Sequence, residues 1–393
     1  MKITRRLLAF PLVFVSLVCL FAAARAQEKP AAPRRYLVYV GTYTTKTNSK
    51  GIYAYSYDAG TGKFKALGVA AETADPSFLA VHPSGKYLYA VNEIGEFNGE
   101  KSGAVSAFLI DRRTGKLKLL NQVASRGAGP CHISLDKTGN YILVANYDSG
   151  TVAVFPVQKD GQLGKYTGFA QHAGSGVNKE RQEGPHAHWI ATSPDNRFLL
   201  AADLGIDRIL ISKFHLADGA FTPNKPNAGV KLKPGAGPRH AAFHPGGKFF
   251  YVTSELNSTV TVYSYDAKGG TLHELQVVST LPKDFSGEND TAEIAVHPSG
   301  KFLYVSNRGR DSIAVFAIDP VKGKLTPVAD IATQGKTPRN FAIDPTGKYL
   351  LAANQRSNDI VVFKIDPATG ALTLTGQVIE VPSPVDIAFL PLE

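Results

Sequence analysis

One short segment recurs along this chain of 393 residues at intervals of 47 to 57 residues. Its plainest copy, HPSGKYLYAVNE from His82 to Glu93, holds a Pro/Gly turn followed by β-branched and aromatic residues. Six copies are complete, and a seventh, at 38–43, keeps only its second half. The copies end at Tyr43, Glu93, Tyr147, Leu204, Glu255, Arg308 and Gln355. Such a repeat must form one structural unit that stacks on its neighbours, so it constrains the fold more than any other feature.

Each copy has the pattern of a β-hairpin followed by two more strands. An apolar segment precedes the turn and a β-branched and aromatic segment follows it, as in two paired strands. A third alternating segment comes next, for example STVTVYSYD from Ser258, and a Gly-bearing turn such as DPVKGKL from Asp319 leads to a fourth. Repetition of four-stranded antiparallel units around an axis removes exposed sheet edges. The sequence therefore predicts an all-β fold, a seven-bladed β-propeller.

The two ends of the chain predict how the ring closes. The first repeat lacks the strand that precedes its turn, whereas Val385–Phe389 has the pattern of that strand with no hairpin partner after it. We therefore expect the N- and C-terminal strands to pair in one blade, which makes 36–393 a single domain. Two separate sandwich domains would leave this division of one repeat unexplained.

The first 26 residues have the pattern of an export signal. A basic stretch over 2–6 precedes an apolar run, and Ala24–Ala26 reads A-x-A, the pattern of a cleavage site. We expect cleavage at this point, a flexible leader over 27–35 and a periplasmic or secreted protein that is not held in a membrane afterwards. Two adjacent arginines leave the Sec and twin-arginine export routes both open.

Charge and cysteine content narrow the functional classes. The formal net charge is +10, and loss of the signal removes four basic residues and no acidic one, leaving +6. This weak bias, without a run of basic residues, does not predict nucleic-acid binding. Cys131 is the one cysteine outside the signal, so no intramolecular disulfide is expected. We expect a monomer that is stabilised by its apolar core.

Alignment of the repeats places a band of polar residues at one face of the predicted disc. In a hairpin, the start of the first strand and the end of the second lie together, away from the turn. These positions collect ionisable side chains, while the middles of the same strands are apolar. Ionisable groups that converge in a concavity mark a candidate site. The candidates are Glu93, His132, His186, His188, Arg239, His240, Glu255, Arg308, Arg339 and Asn340.

Loops that contain Gly and Pro precede several of these candidates, as in GAGPCH at 127–132 and GAGPRH at 235–240. Their restricted backbone is expected to hold the following side chain rigidly at the mouth of the channel. His186 and His188 are spaced so that both point to one face of a strand, but no third ligand accompanies them, so no metal or other cofactor is predicted. The long insert at 165–183 is either a lid over this face or an idle loop.

The segment GAGPRHAAFHPGGKFFYVTSELNSTV at 235–260 resembles the seven-bladed lactonase family, and GAGPCHISLD at 127–136 and KTPRNFAID at 336–344 support the likeness. The resemblance extends over nearly all of the chain after the leader, and propeller-type 6-phosphogluconolactonases are the best-known members. YVSN at 304–307 is also similar to YVTN-type propellers, many of which are not known as enzymes. The resemblance implies a lactone hydrolase, with a non-catalytic propeller that binds a sugar, peptide or protein as the alternative.

The same family includes fungal-type carboxymuconate-lactonising enzymes, whose proposed site uses His, Glu and Arg residues. By order and local motif, the resemblance implies catalytic roles for His188, Glu255, Arg239 and Arg308. The residues then expected to bind substrate are His132, His186, His240, Arg339, Asn340 and Glu93.

We predict metal-independent hydrolysis of a small lactone. Arg239 and Arg339 would hold an anionic substrate and the developing oxyanion. Glu255 or His188 would activate water, and a second histidine, His132 or His240, would return a proton to the leaving oxygen. Because an exported protein would rarely meet the cytosolic phosphogluconolactone, an unphosphorylated sugar lactone or a related anionic lactone fits better. The alternative reactions are a lactonising cycloisomerisation and a metal- or quinone-dependent oxidation.

Overall fold

A computed structural model describes residues 34–392, which form strands and turns without a helix. The predicted signal over 1–26 and the leader as far as residue 33 lie outside the described residues. The first strand already begins at Arg35, inside the predicted leader, because Arg35 pairs with Asp58 in the neighbouring strand. Within 34–392, no helix has the length and hydropathy needed to cross a bilayer.

The described strands are grouped here by blade. Blades 1 to 3 contain β1 (Arg35–Thr42), β2 (Gly51–Asp58), β3 (Lys63–Glu72), β4 (Leu79–Val81), β5 (Tyr87–Asn92), β6 (Ala104–Ile110), β7 (Leu117–Ala124), β8 (Pro130–Leu135), β9 (Tyr141–Asn146), β10 (Thr151–Pro156) and β11 (Gly168–Gln171). Blades 4 and 5 contain β12 (Ala187–Thr192), β13 (Phe198–Asp203), β14 (Arg208–Phe214), β15 (Phe221–Pro223), β16 (Gly229–Lys231), β17 (Pro238–Phe243), β18 (Phe249–Ser254), β19 (Thr259–Asp266) and β20 (Thr271–Ser279). Blades 6 and 7 contain β21 (Asp290–Val296), β22 (Phe302–Arg308), β23 (Ser312–Ile318), β24 (Leu325–Ala332), β25 (Pro338–Ile343), β26 (Tyr349–Asn354), β27 (Asp359–Ile365) and β28 (Leu372–Glu380), and the last strand, β29 (Pro384–Pro391), belongs to blade 1.

The described strands form seven antiparallel sheets, one for each blade. Six sheets have four strands, and blade 4 has a fifth because β15 and β16 both pair with β14. The predicted all-β, seven-bladed β-propeller is confirmed.

The ring closes through the pairing of β1 with β29. The two strands run antiparallel, with Val38 opposite Phe389 and Val40 opposite Ile387. The sheet order β29-β1-β2-β3 gives blade 1 its innermost strand from the C-terminal end of the chain. The predicted pairing of the two terminal strands is therefore confirmed.

Apolar side chains from both faces of each sheet pack against the neighbouring blade. Seven clusters among the described residues each join two adjacent blades around the ring. The cluster between blades 7 and 1 contains Val38, Val40 and Ile387, together with Leu351 and Val362. The core is thus divided among seven contacts between blades, and the contact at the closure is apolar like the others.

A tyrosine near the middle of the second strand connects several blades to the next. Its hydroxyl donates to a backbone carbonyl in the following blade, at 3.0 Å from Tyr89 to Gly161 and 2.8 Å from Tyr304 to Gly370. Both acceptor glycines have positive φ, of 85° and 75°, which disfavours a side chain there. The turn glycines of the repeat therefore also shape the contact between blades.

We predict that Ile387→Asp destabilises the whole protein, because it places a carboxylate at a buried position of the closure strand. The free energy of unfolding should fall by at least about 3 kcal/mol. The control is Val378→Asp in β28, where the native side chain is 58% exposed, and it should change stability by less than about 0.5 kcal/mol. Denaturant unfolding measures both variants, and equal stability of the two would contradict closure through β29.

Candidate active site

The innermost strands of six blades carry an irregularity at the same end, and in β29 of blade 1 the register skips Val385. Register shifts fall between Pro130 and His132 in β8, Ala187 and Trp189 in β12, Pro238 and Ala241 in β17, Thr291 and Ile294 in β21, and Pro338 and Asn340 in β25. A bulge leaves a residue out of the ladder and re-aims its side chain. The residues inside these shifts are Cys131, His188, Arg239, His240, Ala292, Glu293 and Arg339.

The loops before three of these strands have the same backbone bend. Gly129, Gly237 and Thr337 each precede a proline and have φ values of 63°, 63° and 60°. Thr337 is an L-residue in the left-handed region, where a side chain is disfavoured. This shared geometry agrees with the rigid loops predicted from the Gly-Pro motifs.

The centre of the site is the carboxylate of Glu255, which is surrounded by three arginines. Glu255 follows β18, and its Oε2 lies 3.0 Å from Nε of Arg239 and 2.8 Å from Nη2 of Arg308. Its Oε1 lies 2.5 Å from Nη2 of Arg181. The structure therefore brings together three of the four residues predicted to be catalytic, and adds a third cation.

The arginines keep Glu255 ionised although its side chain is buried. Burial alone would raise the pKa of Glu255, but Arg308, Arg239 and Arg181 outweigh it and lower this pKa to about 2. Both carboxylate oxygens are occupied by guanidinium groups, so neither is free to accept a proton from water at neutral pH. These contacts argue against the role of general base predicted for Glu255 and favour a role as anchor for the arginines.

Arg181 was not predicted from the sequence. It lies in the insert at 165–183, and the side chain of the next residue, Gln182, fixes this segment. Nε2 of Gln182 donates to the carbonyl of Leu204 and to Oδ1 of Asp207, both at 2.8 Å. The insert thus places the side chain of Arg181 in the site. Only its unusual length and its position beside the polar face could have pointed to this contact.

A cavity of about 390 Å³ opens beside Glu255. Five of the ten predicted site residues line it, together with five residues that were not predicted. The lining residues are Glu93, Cys131, Tyr147, Asp148, Arg181, His188, Glu255, Asp290, Arg308 and Arg339. A larger groove of about 890 Å³ lies between the loops after β1 and β26, but it lacks this convergence of buried ionisable groups. This main cavity, at the hub of the ring, is therefore the candidate site.

His188 faces the cavity beside Cys131, with its Nδ1 3.7 Å from the Cys131 sulfur. Burial, and then the charge of Arg239, hold the pKa of His188 well below its ordinary value, so the imidazole is neutral. Burial raises the pKa of the Cys131 thiol well above its ordinary value, and Glu93 adds to this. The thiol is therefore protonated and a poor nucleophile.

A second polar layer adjoins the main cavity, whose lining residues Glu93, Cys131 and Arg339 also face a smaller inner cavity. Nδ2 of Asn340 donates to Glu293 at 2.8 Å and to Asp386 at 3.3 Å, while Nδ1 of His240 lies 3.1 Å from Glu293. Burial raises the pKa of Glu293 to about 7 and that of Asp386 well above its ordinary value. The predicted substrate-binding residues His240 and Asn340 belong to this layer, beside a narrow inner cavity.

Besides His240, two predicted histidines do not line the main cavity. The ring of His132 packs 4.5 Å from that of Phe78 and 5.3 Å from that of His240. His186 stacks on Tyr147 at 4.4 Å, and its Nε2 lies 3.1 Å from Glu183. Among residues 34–392, no group of three or more His, Cys, Asp or Glu side chains is placed to hold a metal ion.

Several guanidinium groups retain donors that can face a ligand. Within the described chain, Nε and Nη1 of Arg239 and Nε of Arg308 are buried without an aligned hydrogen-bond acceptor. Arg339 lies over the ring of Tyr43, at 5.3 Å, and forms no ion pair with a described carboxylate. Buried donors without partners are costly, and an anionic or carbonyl oxygen would satisfy them.

Comparison with known proteins places this geometry in a family. The family model described as lactonase, 7-bladed β-propeller, matches residues 37–389. The chain is 40% identical to a 6-phosphogluconolactonase of Bacillus subtilis over 356 residues, which cover 91% of this chain and 99% of that protein. A 6-phosphogluconolactonase of Formosa agariphila is 38% identical over 308 residues, covering 78% of this chain and 85% of its own length.

A solved structure shares the fold over the same range. The periplasmic gluconolactonase of Pseudomonas aeruginosa superimposes with a TM-score of 0.85 at 35% identity, covering 91% of this chain and 100% of that one. The resemblance inferred from the sequence is thus confirmed, and it favours an enzyme over a non-catalytic propeller. The chain belongs to the seven-bladed β-propeller lactonases, which hydrolyse cyclic esters.

Proposed function

We propose that this lactonase hydrolyses an anionic sugar lactone, or a closely related anionic cyclic ester, outside the cytosol and without a metal ion. The observation that carries the proposal is the buried carboxylate of Glu255 with three arginines at the wall of the hub cavity. The relatives named above act on gluconolactones by their printed names, which supports the reaction class.

The arginines supply the electrostatic part of the reaction. Hydrolysis of a lactone develops negative charge on the carbonyl oxygen, and preorganised donors in a site that excludes water stabilise that charge. Arg308 lines the cavity, and Arg239, whose Nε lies 3.0 Å from Oε2 of Glu255, keeps a buried Nη1 without a hydrogen-bond acceptor among the described residues. Burial and the neighbouring arginines lower the pKa of Arg239 to about 10, so it remains charged at neutral pH.

The charge at this wall favours a substrate with its own anionic group. Arg181, Arg239 and Arg308 surround Glu255, and Asp290 is one of three further carboxyl groups at the cavity, with Glu93 and Asp148. Burial, reinforced by Glu255, raises the pKa of Asp290, which weakens its negative charge. Three arginines around the single carboxylate of Glu255 leave guanidinium donors that a carboxylate or phosphate on the substrate would satisfy.

The N-terminal segment supports a substrate found outside the cytosol. Residues 1–26 carry the charge, apolar and A-x-A pattern of an export signal, and a structurally similar gluconolactonase of Pseudomonas aeruginosa is described as periplasmic. An exported enzyme would meet unphosphorylated sugar lactones more often than a cytosolic phosphate ester. We therefore favour an unphosphorylated sugar lactone that retains a free carboxylate as the substrate class.

We expect the purified chain to hydrolyse an anionic sugar lactone faster than glucono-δ-lactone, its neutral comparator, because the arginines recognise the negative charge. Proton release, followed in weak buffer and corrected for spontaneous hydrolysis, measures both rates. The assay is repeated after treatment with a chelator. Activity that disappears with the chelator and returns with a divalent cation would contradict the metal-independent reaction.

We expect Arg308→Lys to lower kcat/KM on that lactone by about 10²- to 10³-fold, because lysine keeps the charge but loses the forked donors. The matched control is Arg310→Lys, two residues away, whose side chain is 43% exposed and pairs with Asp330 on the surface. Steady-state kinetics measure both variants, and thermal melting checks that each is folded. Equal kcat/KM for the two variants would show that Arg308 takes no part in the reaction.

A further inference from the structure

We propose that Glu93 is the general base that activates the hydrolytic water. This inference rests on the proposed lactonase reaction and adds a catalytic role to a residue that the sequence predicted only to bind substrate. The observation behind it is a second carboxyl group in the hub cavity, with one oxygen fixed by two hydroxyl groups and the other without such a partner.

Glu93 is fixed by neighbours from two blades. It directly follows β5 and lines both the main cavity and the narrow inner one. Its Oε2 accepts hydrogen bonds from the Ser77 hydroxyl at 2.5 Å and from the Tyr43 hydroxyl at 2.8 Å. Its Oε1 accepts no hydrogen bond from a side chain in the described part of the protein. This leaves a carboxylate oxygen for a water molecule in the cavity.

The surroundings of Glu93 favour proton transfer, in contrast to those of Glu255. Burial, assisted by Asp148, raises the pKa of Glu93, while Arg339, Ser77 and Tyr43 only partly oppose the shift. A base is most effective when its pKa approaches the working pH. Burial also raises the pKa of Tyr43, so its hydroxyl remains a donor to Glu93.

His188, Cys131 and Arg339 also line the cavity but are less suited to this role, and Asp290, whose pKa burial also raises, has no hydrogen bond from a described residue that fixes its carboxylate. His188 is neutral, but burial holds its pKa so low that it is a weak base. Cys131 keeps its proton, again because of burial. Arg339 is near enough to interact with Glu93 electrostatically but does not form an ion pair with it, so it does not occupy the carboxylate as the arginines occupy Glu255.

The chemistry balances with the lactone and one water molecule. The Glu93 carboxylate takes a proton from water as the water oxygen bonds to the lactone carbonyl carbon, and the carbonyl electron pair moves onto its oxygen. When that pair returns, the bond between the acyl carbon and the ring oxygen breaks. The ring oxygen receives the proton from Glu93 and becomes a hydroxyl group. The product is a hydroxy acid, which loses its carboxyl proton to solvent, and no oxidant or reductant takes part.

The test compares Glu93→Gln with Glu96→Gln, an exposed carboxylate on the same loop. Glutamine keeps the size of Glu93 and an oxygen that accepts from Ser77 and Tyr43, so the site should stay folded. We expect Glu93→Gln to lower kcat/KM by at least about 100-fold, and Glu96→Gln to match the wild type. Wild-type kcat/KM should fall as the pH drops through the raised pKa of Glu93, and this acidic limb should be absent from Glu93→Gln.

A second variant separates a base from a residue that only maintains the site. In Glu93→Ala, added formate should restore part of the activity, because it can enter the space and accept the proton, whereas formate should not change the wild type. Wild-type activity with an unchanged acidic limb in Glu93→Gln would overturn the role of Glu93 and leave the lactonase function intact. Absence of lactone hydrolysis by the wild type would overturn the proposed function, and this inference with it.

Discussion

The antiparallel pairing of β1 with β29 is the contact on which the rest of the structure depends. It links the two ends of a chain whose other sheets are built from consecutive strands. Without it, β1 would expose a free edge and the joint between blades 7 and 1 would lose Ile387. Only a closed ring brings the innermost strands of all the blades around one axis. The site is therefore a product of closure, since its residues come from several different blades.

The bulges in the innermost strands turn this regular ring into a binding site. A regular strand would alternate side chains between the two apolar joints that flank each blade. The register shifts in β12, β17 and β25 instead release His188, Arg239 and Arg339 from this alternation. The Gly-Pro loops before several of these strands restrict the backbone where it enters the strand. The motifs that identify the repeat therefore lie next to the ionisable residues of the site.

Features of the fold and the site that recur in every repeat can be predicted from the sequence. Features that depend on the insert, or on contacts between distant residues, cannot. The blade number, the closure by Val385–Phe389 and the convergence of Glu255 with Arg239 and Arg308 follow from alignment of equivalent positions. Arg181 has no equivalent position, because it belongs to an insert that occurs once. The low pKa of Glu255 was also missed, since it depends on three cations that come from separate parts of the chain.

Glu93 and Glu255 show why position in the repeat does not assign chemistry. Each is the residue directly after the second strand of its blade, so the alignment treats them as equivalent. Arginines hold the pKa of Glu255 at about 2, whereas burial raises that of Glu93 despite its hydrogen bonds from two hydroxyl groups. Two carboxyl groups whose environments move their pKa values apart can take different roles in one reaction. In the proposed mechanism, Glu255 stays ionised and holds the arginines that stabilise the oxyanion, and Glu93 exchanges a proton with water.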